Sequence, residues 1–361
     1  MRIERGRIVR VSGSTPGAAN ARQDWRERSG LHLELVEAGG ALGWGEASPL
    51  PGYSWESLEL AEAELIGWLQ RLPRELPDPE AIFVAAAEVA AASARFALET
   101  ALLDLLGQEE KKPLHQLLGS RPRATPLPLV HLLPVGAEIS EVLAAAERLA
   151  AAGATAFKIK IGGPDFAAEL ALLAALRQRF GDAVELRLDA NRAFKAAELK
   201  GRLDALAVFS PELLEEPVGE VDSRTAAIDL ASPFPLAFDE TLQDPVLRTH
   251  LPRLLRLGSF RVLVLKPMAL GGFVTCLELA RTAQACGCAT LVSHLFDGPI
   301  GLAAAAHLAF ALPGRILPCG LARHSGLGIW SGEVGSVEPA FVGPGEISLP
   351  QAPGLWGERR A

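Results

Sequence analysis

The 361-residue sequence predicts an α/β protein in which a (β/α)8-type barrel follows a mixed α+β region. From about Pro126 onward, short apolar strands alternate with helical spacers, which is the pattern of a parallel barrel. The first 60 residues instead alternate apolar and polar side chains, as antiparallel strands do. The length also fits two domains better than one small core.

The N-terminal region reads as antiparallel strands followed by helices. The stretches "GRIVRVSG" and "GLHLELVEAGGALGWGEA" alternate, and the pair Gly39-Gly40 predicts a hairpin turn. Polar loops occupy 14–29 and 48–55, and we expect them to be mobile and to order over a ligand, since long loops are often functional. Helices are predicted over 54–71 and 79–107, the second with a break.

Eight strand candidates make up the barrel. They are "PLPLVHLLPV", "AFKIKIG", "VELRLDA", "PELLEEPV", "FPLAFDE", "RVLVLKP", "ATLVSHL" and "RILPCGL". One polar residue ends each of six successive strands, at intervals of 31, 26, 24, 27 and 27 residues. These residues are Lys158, Asp189, Glu215, Asp239, Lys266 and Ser293. Each interval matches one β/α unit, so the six side chains are expected around the C-terminal mouth, where such barrels build active sites.

Three of these residues are carboxylates on adjacent strands. Close together and unpaired, Asp189, Glu215 and Asp239 would repel one another. A hard divalent cation removes the repulsion, and Mg²⁺ prefers oxygen ligands, so the sequence predicts a magnesium site with Mn²⁺ as a substitute. Alternation in a strand places Lys158 and Lys160 on one face, toward this anionic centre.

The ordered motifs "KIK", "DAN", "LEEP", "FDET" and "VLKP" resemble the enolase superfamily, in its muconate-lactonizing subgroup. The resemblance covers nearly the whole chain. It implies a capping domain over 1–120, a catalytic barrel over 121–330, and a C-terminal segment, 331–361, that packs back on the capping domain. Family members of this kind use a Lys or His base with Mg²⁺ to stabilise an ene-diolate.

The resemblance also assigns roles to residues of the mouth. Asp189, Glu215 and Asp239 are expected as the metal ligands, with the first glutamate of "LEEP" chosen over Glu216. Lys160 is expected to remove the proton α to a substrate carboxylate. Lys158 supports that lysine, and Lys266 faces it across the site.

A narrower resemblance is to the o-succinylbenzoate synthase family. The stretches "GWGEASPLPGYSWE" and "LRLDANRAF" carry it, and the residues it suggests for substrate binding are Arg187, Asn191, Ser293 and Asp297. The chain departs from that family after the seventh strand. There "SHLFDGPIG" replaces a serine-rich stretch that ends in Glu-Ser, which places His294 and Phe296 beside the mouth.

The expected reaction is therefore a Mg²⁺-dependent dehydration in menaquinone biosynthesis. Alternatives on the same scaffold are an N-succinylamino acid racemase, a dipeptide epimerase and a muconate cycloisomerase. Dipeptide epimerases tend to carry Asp-x-Asp on the eighth strand, and "RILPCGLARHSG" has none. From another class, a non-enzymatic acid- or sugar-binding barrel is the remaining alternative.

Composition limits the partners. The formal net charge is −8 and no basic tract is present, which disfavours nucleic acid. No apolar run approaches a membrane span or a signal peptide. The four cysteines form no metal-binding pattern and fit a reducing compartment. We therefore expect a cytoplasmic enzyme that acts on a small carboxylate, without nucleic acid or membrane partners. The oligomeric state is open.

Overall fold

The computed structural model describes residues 1–15, 25–119, 126–219, 231–324, 341–342, 345–348 and 350–357. Most of the predicted 14–29 loop lies outside these residues. Among the described helices, none combines the length and the apolar character that a membrane crossing requires.

The N-terminal region is an antiparallel sheet with helices packed on it. Its strands are β1 (Arg2–Ser14), β2 (Glu27–Glu37), β3 (Leu42–Ala47) and β4 (Arg74–Glu75), in the order β3-β2-β1-β4. The predicted hairpin turn joins β2 to β3, and Gly40 has φ +87°, a conformation that favours glycine. Gly45 of β3 packs so closely on α3 that a β-carbon there would lie 1.9 Å from the carbonyl oxygen of Ala97.

Seven parallel strands form the main sheet of the barrel, in sequential order. They are β6 (Val130–Leu132), β7 (Ala156–Lys160), β8 (Glu185–Asp189), β9 (Leu213–Glu215), β10 (Leu236–Phe238), β11 (Phe260–Leu265) and β12 (Ala289–Val292). Short strands β5 (Leu127–Pro128), β13 (Phe341–Val342) and β14 (Glu346–Ile347) form a small separate sheet.

The eighth strand position is filled by an extended segment, 315–320, that closes the barrel. Leu317 and Gly320 donate backbone hydrogen bonds to β12, at Thr290 and Val292. On its other side, Cys319 accepts from the Val130 amide of β6. All eight predicted strand positions are therefore present, and the predicted barrel is confirmed.

Helices connect the strands. Those of the N-terminal region are α1 (Leu58–Leu69), α2 (Pro79–Ala87), α3 (Ala92–Glu110) and α4 (Leu114–Leu117). Within the described residues, those of the barrel are α5 (Ile139–Ala151), α6 (Phe166–Phe180), α7 (Ala196–Ala207), α8 (Pro245–Arg256), α9 (Pro267–Leu270), α10 (Phe273–Ala285) and α11 (Pro299–Ala311). The break predicted within 79–107 is the segment between α2 and α3.

Alternation along the strands decides which side chains enter the barrel. A compact apolar cluster fills its interior, and its members are Leu213, Ala237, Val262, Val264, Ala289, Leu291 and Leu317. Two residues beyond Leu213, Ala237 and Val264 come Glu215, Asp239 and Lys266. The polar residues therefore form the next layer above the apolar floor, at the C-terminal mouth.

The C-terminal residues contact the N-terminal helices. The Leu355 amide donates to Asp104 Oδ1 (2.8 Å) and the Gly354 carbonyl accepts from the Leu114 amide (2.9 Å). The division at 120 and 331 stays a prediction, because both boundaries fall in or beside residues outside the described set.

Candidate active site

Three buried carboxylates converge at the mouth of the barrel. One oxygen from each of Asp189, Glu215 and Asp239 lies within 4.8 Å of the others. Asp189 ends β8, Glu215 ends β9, and Asp239 follows β10. In the sheet register, Asp189 pairs with Glu215, and Glu215 pairs with Ala237. Three hard oxygen donors on rigid strand ends fit the ligand chemistry of Mg²⁺. The predicted cluster is thus brought together.

Three lysines contact this triad. Lys158 Nζ lies 2.5 Å from Glu215 and 2.7 Å from Asp189, and Lys160 Nζ lies 2.6 Å from Asp189. From the opposite side, Lys266 Nζ lies 2.6 Å from Asp239. Strands β7 and β11 hold the second and sixth of eight barrel positions, so Lys160 and Lys266 approach the centre from opposite sides. Strand alternation puts the two lysines of "KIK" on one face, and the carboxylates of the triad compensate their positive charges.

The two lysines of β7 differ in their electrostatics. Burial disfavours the charge of Lys158, but the attraction of Asp189, Glu215 and Asp239 outweighs it, and the pKa of Lys158 is raised. For Lys160, burial lowers the pKa, Lys158 and Lys266 add to the lowering, and Asp189 does not compensate. Lys160 is therefore the more readily neutral amine of the pair.

The neighbouring glutamates of "LEEP" point in different directions. Glu216 Oε1 accepts the backbone amides of Asp239 and Thr241, each at 2.8 Å, and its Oε2 accepts the Thr241 hydroxyl. Arg192 Nε lies 3.4 Å from the same oxygen. Glu216 thus holds the turn after β10, while Glu215 faces Asp189 and Asp239 as the third carboxylate of the triad.

Asn191 and Tyr53 extend the network. Asn191 Oδ1 accepts from Lys160 Nζ (2.8 Å) and its amide nitrogen donates to Glu240 (3.1 Å), so it orients the lysine. Tyr53 lies in the predicted 48–55 loop. Its hydroxyl donates to Asp239 Oδ1 (2.7 Å), and Lys266 Nζ lies 4.3 Å from the centre of its ring. The sequence indicated the loop but not the role of this tyrosine.

A cavity of about 340 Å³ opens above the three lysines. This volume suits a small molecule. Ser293 lines the cavity, as predicted, and so do several residues that the sequence did not single out. They are Trp25, Leu50, Leu132, Arg323 and His324, while His294 and Phe296, which the sequence placed beside the mouth, line it as well. The ring centres of Trp25 and Phe296 lie 6.1 Å apart with their planes tilted by 46°, and with the histidines these rings give the cavity an aromatic wall.

His294 lines this wall as a neutral imidazole. Its Nδ1 accepts the Phe296 amide (3.0 Å), so Nε2 carries the proton and donates to the Ala322 carbonyl (3.2 Å). Burial, followed by the nearby His324, lowers the pKa of His294 well below its ordinary value. Both ring nitrogens are engaged, which makes this residue a wall rather than a proton carrier.

Arg187 and Asp297 do not reach the cavity. Arg187 is fully buried, and its guanidinium donates to the Pro318 carbonyl (2.9 Å) and to Glu212 (2.8 Å). It precedes Asp189 by two positions, so it lies one layer deeper in the barrel, where it holds the eighth strand segment. The Pro318 carbonyl and Glu212 thus engage two nitrogens of the guanidinium, and its contact with a substrate stays a prediction.

Asp297 faces the N-terminal sheet instead. Its Oδ1 accepts the Leu295 amide (3.1 Å), and its carbonyl accepts from His324 Nε2 (2.7 Å). Burial and the nearby Glu46 raise the pKa of Asp297 to about 7. Glu46 in turn accepts the amides of Gly298 and Gly301, so the two carboxyl groups anchor the loop that carries His294 and Phe296.

The glycine pair after β7 holds no open anion site. The Gly163 amide donates to Glu169 Oε1 at 2.7 Å, and Gly162 has φ +97°. A carboxylate of the chain already accepts from this loop, so the stretch "IGGPD" forms a turn.

Comparison with known proteins places these features in a family. The model described as "Enolase C-terminal domain-like" matches residues 141–356, and that described as "MenC, N-terminal domain" matches 17–105. The L-Ala-D/L-Glu epimerase of Bacillus subtilis (strain 168) is 30% identical over 316 residues, which cover 86% of this chain and 84% of that protein.

Two further proteins are similar to this chain at lower sequence identity. The o-succinylbenzoate synthase of Desulfotalea psychrophila is 29% identical, over 82% of this chain and 85% of that one. The solved structure of the muconate lactonizing enzyme from Pseudomonas putida superposes with a TM-score of 0.84, covering 100% of this chain and 97% of the other. At 23% identity, that structure supports the fold alone.

Proposed function

The chain belongs to the enolase superfamily, and on that premise we propose that it is an o-succinylbenzoate synthase. The reaction would be the Mg²⁺-dependent dehydration of 2-succinyl-6-hydroxy-2,4-cyclohexadiene-1-carboxylate to 2-succinylbenzoate, a step of menaquinone biosynthesis. One observation carries the chemistry. Lysines from opposite sides of the barrel meet a buried triad of carboxylates beneath a small cavity.

The triad residues fit a metal ion. Asp189, Glu215 and Asp239 would hold Mg²⁺, with Mn²⁺ as a substitute. When bound, the ion supplies positive charge that stabilises the second negative charge of an ene-diolate. Tyr53 and Glu216 position this set, since one donates to Asp239 and the other fixes the backbone around it.

Lys160 is proposed as the base. As a neutral amine, its Nζ takes the proton from the ring carbon that bears the carboxylate, and the electron pair of that C–H bond is delocalised onto the carboxylate as an ene-diolate. That pair then forms the last double bond of the aromatic ring as the hydroxyl group departs. The C–O bond of the ring hydroxyl then breaks, and Lys160 returns the proton to the departing hydroxide, which leaves as water. Both events take place on one face, so a single lysine suffices.

Lys158 and Lys266 are proposed to contribute charge. Lys158 contacts both Asp189 and Glu215 and remains an ammonium, so it can face the substrate carboxylate. Lys266 lies on the other face of the reacting carbon, where its ammonium balances the developing anion. Asn191 holds Lys160 in place, and Ser293 is proposed to donate to the substrate carboxylate.

Two features favour the synthase over its relatives. The match of residues 17–105 to the MenC N-terminal model supports it. In addition, none of the described residues that line the cavity is a carboxylate. The ammonium of a dipeptide would therefore have no partner of opposite charge on the described walls.

The second candidate is a racemase or epimerase. It is favoured by the 30% identity to an L-Ala-D/L-Glu epimerase and by Lys266, which is placed to serve the opposite face. In that case both lysines would exchange protons with the α-carbon.

A substrate panel separates the candidates. Purified protein with Mg²⁺ would be assayed against the cyclohexadiene substrate, a set of N-succinylamino acids and L-Ala-L-Glu. We expect fast dehydration and slow or absent turnover of the others. Fast racemisation with negligible dehydration would replace the proposal with the second candidate, while retention of full activity after exhaustive chelation would contradict the metal assignment.

A further inference from the structure

The cavity carries a cation that the proposed reaction does not use. Arg323 follows the segment that fills the eighth strand position and lines the cavity with Lys158, Lys160 and Lys266. The lysines are all engaged by the triad. Arg323 comes from the wall on the other side, next to His324, and its side chain is exposed at the opening.

Among the described lining residues, positive charge is therefore offered at two places in the cavity, by the three lysines beside the triad and by Arg323. Reaction of a carbon acid requires one carboxylate, at the lysine end. A guanidinium presents five N–H donors in a planar fork that matches a second carboxylate, and it can serve more than one partner at once. Apolar side chains also line this cavity, among them Leu50, Leu295 and Phe296, and they reduce the screening of its charges by water.

We infer that Arg323 is a specificity-determining residue that binds a second, distal carboxylate of the substrate. This inference rests on the proposed function and narrows its substrate class to acids with an anionic arm. An ammonium at the same place would meet a like charge, so a dipeptide with a free amino terminus would be disfavoured. The chain would thus differ in specificity from the epimerase to which it is 30% identical.

Binding of two matched ligands tests this inference without turnover. The first is 2-succinylbenzoate, and the second is 2-butanoylbenzoate, in which a methyl group replaces the distal carboxylate. Calorimetric titration with Mg²⁺ present would be carried out on the wild type, Arg323→Gln and Arg323→Lys. A charge-assisted hydrogen bond predicts roughly tenfold or greater preference of the wild type for the succinyl ligand.

The variants should change that preference in a defined way. In Arg323→Gln the two ligands should bind within about twofold of each other, and Arg323→Lys should restore part of the difference, since it keeps the charge but not the fork. A control variant, Arg256→Gln, removes the same charge at the C-terminal end of α8, at the far end of the barrel. It should leave the preference unchanged.

The possible failures are distinguishable. Equal preference in the wild type and in Arg323→Gln, with tight binding of 2-succinylbenzoate to both, overturns the role of Arg323 and leaves the proposed function standing. Failure of the folded, Mg²⁺-loaded wild type to bind 2-succinylbenzoate overturns the proposed function, and the inference with it. In turnover, Arg323→Gln should raise KM far more than it lowers kcat, and the reverse pattern would also contradict a binding role.

Discussion

The two sides of the cavity are built in different ways. On the metal side, charged residues at the ends of β7 to β11 contact one another directly at 2.5–2.7 Å. On the opposite side, Trp25, Phe296, His294 and His324 form an aromatic wall contributed by loops. Rigid strand ends thus place the groups that we propose handle the proton, and loops place the groups that we propose contact the remainder of the substrate.

This difference predicts that substitutions on the two sides have different consequences. A strand end fixes a side chain through the sheet register, so the chemistry tolerates large changes elsewhere. A loop can change its residues without disturbing the barrel, and substrate choice can change with it. Substitutions on the metal side should therefore alter rate and metal affinity, and substitutions on the wall should alter substrate preference.

The largest expected effect comes from Lys160. Lys160→Ala should lower kcat for dehydration by about 10²–10⁴-fold, since it removes the proposed general base. Lys266→Arg keeps the cation near the intermediate and should lose much less. Both rates would be measured with saturating Mg²⁺, after circular dichroism has established that each variant is folded. Equal losses in the two variants would contradict the division of labour between the lysines.

The next prediction concerns the loop that carries the wall. Because the pKa of Asp297 is about 7 in the folded protein, its contribution to stability is fully present below about pH 4, declines as the pH rises, and is lost above about pH 7. The shift of about three units corresponds to at most about 4 kcal/mol. The charged groups that face it are Arg28, Glu46 and Lys266, and the neighbouring titratable group is His324, whose pKa is lowered to about 4.

Asp297→Asn should remove this component. The amide keeps an acceptor for the Leu295 amide but cannot ionise beside Glu46. Urea denaturation at pH 5 and pH 8 would give the free energy of unfolding, which should fall less with pH in the variant than in the wild type. The exposed Asp182→Asn serves as the control and should follow the wild type. Identical pH slopes for all three proteins would show that Asp297 is not protonated in the fold.

The adjacent glutamates of "LEEP" offer a matched pair. Glu215→Gln should weaken Mg²⁺ binding by at least about 100-fold, because it removes a triad carboxylate. Glu216→Gln should instead cost about 1–3 kcal/mol of stability, since its carboxylate satisfies the Asp239 and Thr241 amides. Calorimetric Mg²⁺ titration and chemical denaturation measure the two effects. A greater loss of Mg²⁺ affinity in Glu216→Gln would reverse the assignment.

The smallest expected effect is at Tyr53, where the N-terminal region meets the triad. Tyr53→Phe keeps the ring beneath Lys266 but removes the hydrogen bond to Asp239 Oδ1. A partner of this kind typically contributes about tenfold or more to metal affinity. We expect about a tenfold rise in the Kd for Mg²⁺ with little change in stability. An unchanged Kd would mean that the hydroxyl does not position the ligand.

The metal side could be predicted from the sequence because strand spacing repeats. Lys158, Lys160, Asp189, Glu215 and Asp239 lie at regular intervals, and alternation fixes the face of each, so one-dimensional spacing predicts three-dimensional proximity. Arg187 obeys the same alternation but lies one layer deeper. The Pro318 carbonyl that accepts from Arg187 is brought there by closure of the barrel, and no local sequence pattern indicates that contact.

The wall could not be predicted in the same way. Asp297 aligns by position with a glutamate of the resembled family, yet it faces Glu46, because the loop turns it toward the N-terminal sheet. Tyr53, Trp25 and Arg323 come from segments far apart in sequence, and nothing in their spacing indicates that they meet. Such contacts depend on how the N-terminal region rests on the barrel mouth.

The most direct test of the account follows the proton that Lys160 is proposed to remove. The cyclohexadiene substrate would be prepared with deuterium on the carbon that bears the carboxylate. Single-turnover dehydration would be compared with the protonated substrate, in the wild type and in Lys266→Arg, with Mg²⁺ present. The account predicts slower reaction of the deuterated substrate in both proteins, and dehydration by Lys160→Ala that is about 10²–10⁴-fold slower than in the wild type. Dehydration that persists in Lys160→Ala but is lost in Lys266→Arg would contradict it.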